Sequence, residues 1–166
     1  MRQRSSSRPP PNVSALGAGL RLLGMRAHSR VELQRKLSRR GHSTEEIDRA
    51  MARLEELGYV NDLAFAQGLV RHRAASRGPR ALSVELSQRG VDRAQADAAI
   101  AGFEPEAQLA AATRLAERLY AKKSPATYRE TLDVVGTKLL RRGFSSSIVR
   151  AACQSAFAGT SSDSED

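Results

Sequence analysis

Apolar positions along this chain follow one pattern written three times. Leu33 and Leu37, Leu82 and Leu86, and Val135 and Leu139 stand eight and four residues before Gly41, Gly90 and Gly143, the i,i+4 spacing of a buried helical face. The pattern resumes at the sixth, ninth, tenth and thirteenth residue after each glycine: Ile47, Ala50, Met51 and Leu54; Ala96, Ala99, Ile100 and Phe103; Val149, Ala152, Cys153 and Ala156. Two helices therefore flank each glycine. The glycines are 49 residues apart (41 to 90) and 53 apart (90 to 143), which divides the chain into three units of about fifty residues. The segment before each glycine is itself repeated, as KLSRRG, ELSQRG and KLLRRG.

The polar positions punctuate this pattern. A glycine just past a helix takes the left-handed conformation that closes the last turn, which a side chain with a Cβ resists. Two residues later come Ser43, Asp92 and Ser145, whose side chains accept from the unpaired amides of the next helix. Glu46 and Gln95 complete capping boxes with the first two, and Ile148 does not with the third. A further helix precedes each pair, predicted over 15–24, 62–76 and 105–121, the second opened by Asp62 and the third by Glu104-Pro105. The box Ser29 to Glu32, then Pro79, then Ser124-Pro125 mark the starts of the middle helices. The fold expected is all-α: nine helices in three tandem three-helix repeats, each burying its face against its neighbours in an elongated, curved body. The units run over 15–60, 61–103 and 104–158, between a basic tail, 1–14, and an acidic tail, 159–166, both expected to be disordered.

Composition supports a helical reading, with 40% hydrophobic but only 4% aromatic residues, no tryptophan and six prolines. A single cysteine, Cys153, forms no intramolecular disulfide and builds no thiolate metal site alone. No apolar run reaches the length of a membrane span, and Arg21 interrupts ALGAGLRLLG, so no signal peptide is expected. These features place the protein in a reducing cytoplasm. Charge changes the picture more. The formal net charge is +9, and Arg2, Arg4 and Arg8 in front balance Asp163, Glu165 and Asp166 behind, so the folded middle carries the excess. Arginine outnumbers lysine 23 to 4, a bias of G+C-rich genomes, but a body this cationic attracts polyanions through a salt-dependent field.

The arginines divide by their position on the helices. Arg40, Arg89 and Arg142 immediately precede the three glycines, where a cation meets the negative end of a helix dipole, and where each also lies at the rim of the buried leucine face. Arg39 and Arg141 are two residues from Leu37 and Leu139, about 200° around the helix and facing away from the core, with Arg35 one turn below Arg39. The second unit has Gln88 at that position and carries its charge at Arg71, Arg73, Arg77 and Arg80, around the connection SRGPR. These ten arginines are the candidate binding residues, forming a basic stripe along one side of the body. A solvated helix face is the competing explanation for the outward ones.

Catalysis has little support. The chain has no phosphate-cradling glycine loop with lysine and no nucleophile elbow, and His28, His42 and His72 lack metal-ligand spacing or an evident nucleophile. Neither an enzyme activity nor a cofactor or metal is expected. The glycine-joined helix pairs also fit a stand-alone helix-turn-helix-like DNA-binding protein, although no helix is distinguished as a recognition helix.

In order along the chain, RAHSRVELQRKLSRRG at 26–41, LGYVNDLAFAQGLVRHR at 57–73, RGPRALSVELSQRGV at 77–91 and LLRRGFSSSIVRAA at 139–152 resemble the RecX family of regulators of the RecA recombinase. The likeness runs from about Ala15 to Phe157. It implies three tandem three-helix repeats and a protein, a monomer rather than an enzyme, that lies along the groove of the RecA filament on single-stranded DNA. There it inhibits ATPase, strand-exchange and coprotease activities, and so acts in recombination, repair and the SOS response. Arg35, Arg39, Arg40, Arg71, Arg73, Arg77, Arg80, Arg89, Arg141 and Arg142 then contact DNA phosphates, on single strands or on duplex, or acidic RecA surface. Two departures stand out: Gly68-Leu69 follows the Phe-Ala pair where relatives carry an aromatic residue, and Ser145-Ser146-Ser147 follows Phe144 in place of an aromatic and an acid.

Overall fold

The computed structural model describes residues 13–162. Among them are nine helices in three successive triplets. The first unit holds α1 (Ala15–Met25), α2 (Arg30–Arg39) and α3 (Thr44–Glu56), and the second α4 (Asp62–Arg73), α5 (Pro79–Gln88) and α6 (Arg93–Ala101). In the third, α7 (Pro105–Lys123) precedes α8, which begins at Tyr128–Thr131, passes through a π-helical turn at Leu132–Gly136 and ends at Thr137–Arg141; α9 is Ser146–Ser162. Within each unit the first helix packs on the third, and the middle helix joins them.

The apolar pattern is the core. Leu33, Leu37, Leu82, Leu86, Val135 and Leu139 are fully buried, as are the positions after each glycine except Ile100, which is half-buried. The core falls into two parts: Ala18, Leu22, Leu33, Leu37, Ile47, Met51, Leu54 and Val60 form that of the first unit, while the second and third share one continuous cluster. Gly41, Gly90 and Gly143 take φ of 93°, 79° and 88°, as the helix-closing role requires.

The helix starts differ in detail from expectation. Asn61 rather than Asp62 caps α4, accepting from the Ala64 amide at 2.9 Å, while the Asp62 carboxylate accepts from the Arg30 amide of the first unit at 2.7 Å. Of the two capping boxes expected at Ser43 and Asp92 and the one at Ser29, the one at Ser43 with Glu46 closes in full. Ser29 caps α2, but Glu32 turns to arginines, and Asp92 accepts from Ala94 with no return bond from Gln95. Ser124, at φ 43°, ends α7, and Thr127 starts α8. The Ser124-Pro125 start is thus displaced by about one turn. Helix α4 stops at Arg73, short of 76, and α9 extends to Ser162, past the expected tail boundary at 159. Ser14, assigned to the basic tail, is the α1 cap; residues 1–12 and 163–166 of the expected tails lie outside the described residues.

The units are joined by one device used twice. The glycine end of a middle helix docks against the start of the preceding middle helix. At the first joint the Ser29 hydroxyl donates to the Arg89 carbonyl, and a Cβ on Gly90 would lie 2.5 Å from Val31 Cβ. At the second the Gly78 amide donates to the Arg142 carbonyl at 2.8 Å and the Arg80 amide to the Gly143 carbonyl at 3.2 Å, with a Gly143 Cβ 2.6 Å from Ala81 Cβ. The recurring glycine therefore has a second reason: no side chain fits where the units meet.

Candidate functional site

The first joint organises a ladder of alternating charge. The Arg26 guanidinium donates two hydrogen bonds to the Glu32 carboxylate, at 2.9 and 3.1 Å. Arg89 bridges Glu32 at 3.3 Å and Glu85 at 3.1 Å, and Arg73 closes the row 3.8 Å from Glu85. The Arg89 guanidinium also stands 5.9 Å from the Phe65 ring centre, a cation–π contact. Burial alone raises the Glu32 pKa, but the hydrogen bonds and charges of Arg26, with Arg89, outweigh it and hold the carboxyl below its usual value.

This ladder floors a groove of about 660 Å³ that crosses all three units. Its wall adds Arg77, from the connection before α5, and Arg141, from the last turn of α8. Five guanidiniums face two carboxylates there, a net of +3. Among the described residues Arg77 and Arg141 have no carboxylate within ion-pair distance, and both are exposed. The paired arginines are held in place by their carboxylates, while the two unpaired ones present their full charge to solvent. The excess positive charge makes this groove attractive to anions.

The ten candidate arginines do not all line one groove. Arg73, Arg77, Arg89 and Arg141 come together in this groove. Arg35 and Arg39 line a separate shallow groove on the first unit, beside Ile47 and Asp48. Arg40 lies by Arg21, Leu22 and His42 in a third. Arg71 is exposed on α4 and Arg80 at the start of α5. Arg142 is half-buried at the second joint, donating to the Ser76 carbonyl at 3.2 Å. Arg89 and Arg142 thus serve the joints, which helical periodicity could not show because the joints bring together residues about sixty positions apart. Arg26 was missed for a related reason: it sits in a connection, where no periodicity applies, and only its position six residues before Glu32 hints at the pair.

Two further features bear on the chemistry. No group of three His, Cys, Asp or Glu side chains gathers to hold a metal among the described residues. No helix among them is long and apolar enough to cross a membrane.

Comparison with known proteins fits this architecture unit by unit. The RecX first three-helix domain matches residues 15–54 and the RecX second three-helix domain residues 61–100. A Regulatory protein RecX of Halorhodospira halophila is 39% identical over 140 residues, covering 84% of this chain and 86% of its own. The chain belongs to the RecX family. A RecX regulatory protein of Mycolicibacterium smegmatis is 37% identical over 136 residues, covering 78% of this chain and 72% of its own. The crystal structure of RecX from Lactobacillus salivarius superposes with a TM-score of 0.78 at 26% identity, covering 87% of this chain and 95% of that one. The all-helical repeat read from the apolar pattern is therefore the RecX fold, and the protein is a regulatory protein of that family.

Proposed function

We propose that the protein binds the RecA filament on single-stranded DNA and inhibits its ATPase, strand-exchange and coprotease activities, acting as a cytoplasmic monomer without catalysis of its own. The observation that carries this reading is the groove crossing all three units, with Arg77 and Arg141 unpaired above a fixed charge ladder. A surface that gathers charge from successive units of a row suits an elongated anionic partner better than a small one. Phosphate contacts made this way set position and affinity without reading bases. The regulatory name carried by relatives over most of their length points to RecA control.

The test is to add the folded protein to RecA, single-stranded DNA and ATP and to follow hydrolysis. Inhibition at stoichiometric amounts is expected; an unchanged rate would refute the reading. The DNA-binding protein acting alone predicts instead a sequence-selective footprint on duplex DNA without RecA, whereas this reading predicts uniform, steeply salt-dependent duplex binding.

A further inference from the structure

A second groove, of about 530 Å³, lies directly across the charge ladder from the basic one and shares Arg26, Arg73, Glu85 and Arg89 with it. Its long side is one face of α4: Asn61, the cap, then Ala64, Phe65, Gly68, Leu69 and His72, at the i, i+3, i+4 spacing that puts residues on one side of a helix. Ala64 and Gly68 are the small residues of that face. A Cβ on Gly68 would meet nothing nearer than the Arg71 guanidinium at 3.9 Å, so the glycine leaves an open trough in mid-helix, where it costs helix stability. Tyr59, 58% exposed despite its size, lines it as well.

The remaining wall holds His28, which is 2% exposed. Its Nδ1 lies 2.8 Å from the Arg26 carbonyl and so must donate to it; Nε2 is then the acceptor of a neutral ring. Burial pushes the His28 pKa down, which keeps the ring neutral. That Nε2 is buried with no partner among the described residues, and an orphaned buried acceptor calls for explanation. The trough thus offers an apolar floor, one exposed tyrosine and a guanidinium rim, with the neutral His28 ring buried in its wall.

We propose that this trough receives an unstacked nucleobase of the single strand whose phosphates lie in the basic groove. The inference rests on the filament reading above and extends it from backbone to base. Aromatic platforms beside a positive groove hold bases of single strands without sequence preference, because every base has a π face. The rim favours a nucleic acid over an apolar protein side chain: Arg26, Arg73 and Arg89 border trough and basic groove alike, so a strand that crosses the ladder keeps its phosphates on arginine while one base turns inward over Tyr59.

The experiment is equilibrium binding of the full chain to labelled oligothymidylate and to an abasic deoxyribose-phosphate strand of the same length, which keeps the phosphates and removes the bases. The expected result is roughly tenfold weaker binding to the abasic strand. Tyr59→Ala and Gly68→Leu, the latter filling the trough, should bring oligothymidylate down to the abasic level and leave abasic binding unchanged; Tyr59→Phe should retain the difference. Equal affinity of the wild type for both strands, or variants that weaken both alike, would overturn the proposal. So would loss of RecA inhibition in Gly68→Leu with both affinities unchanged, which would assign the trough to a protein side chain of the filament while leaving the filament reading in place. Failure of the wild type to inhibit RecA at all would sink that reading separately.

Discussion

Gly58, Gly90 and Gly143 hold the same left-handed backbone, at φ of 74°, 79° and 88°, so alanine at each isolates what the joints add. At Gly58, which is exposed and where a new Cβ would meet nothing within 4 Å, the substitution imposes backbone strain alone, about 1–2 kcal/mol. At Gly90 the new Cβ falls 2.5 Å from Val31 Cβ and 2.7 and 2.9 Å from its methyls. Valine is stiff at χ1 and cannot rotate clear, so overpacking of about 1–3 kcal/mol is added and the total reaches about 2–5 kcal/mol. Gly143→Ala meets Ala81 backbone as well as its side chain, which a rotamer change cannot relieve, and should cost at least as much. Urea unfolding followed by far-ultraviolet circular dichroism gives the three midpoints. Adding Val31→Ala to Gly90→Ala removes the methyl contacts but keeps the Cβ contact and should recover only a small part of the loss, whereas the backbone contact at Gly143 has no such relief. Equal costs at all three glycines, or no coupling between positions 31 and 90, would refute the claim that the same joint is used twice.

Other consequences are more local. Arg89→Met removes the bridge between Glu32 and Glu85 and should cost about 1–2 kcal/mol of stability in thermal unfolding. Glu85→Gln in that background should restore part of it, because Glu85 is then left with Arg73 at 3.8 Å while Glu32 keeps Arg26. His28 is buried neutral with its pKa below the usual histidine value; its contribution is present above about pH 6.5 and lost as pH falls. The melting temperature should therefore drop between pH 7 and 5, and the slope should flatten in His28→Gln. Reversal of single-strand contacts is read most simply from salt: Arg77→Ala and Arg141→Ala should each lower the slope of log affinity against log salt by roughly 0.7.

Much of the architecture was legible because burial is periodic. Leu33 and Leu37, with their equivalents, announced the helix face, and the following glycine announced the turn. The start of α8 was not: that helix is one turn longer than α2 and α5, with Thr127 sixteen residues before Gly143 against twelve for Ser29 before Gly41. Pro125 drew attention to the wrong end of the connection. The π-helical turn at Leu132–Gly136 likewise has no periodic signature, yet Val135 and Leu139 both reach the core through it. The groove was only half legible. Arg141 could be picked as an outward cation and Arg77 as a charge of the SRGPR connection, but that they meet in one groove, and that Arg89 bonds Glu32, depends on docking between units that no single helix encodes.

The most direct measurement is half-inhibition of RecA ATP hydrolysis on single-stranded DNA by the wild type, by Arg77→Glu with Arg141→Glu, and by Arg35→Glu with Arg39→Glu. If the three-unit groove is the contact surface, the first pair of reversals should raise the amount needed at least tenfold with helicity unchanged, and the second pair should act much more weakly. Inhibition that is unaffected by reversing Arg77 and Arg141 would contradict the account.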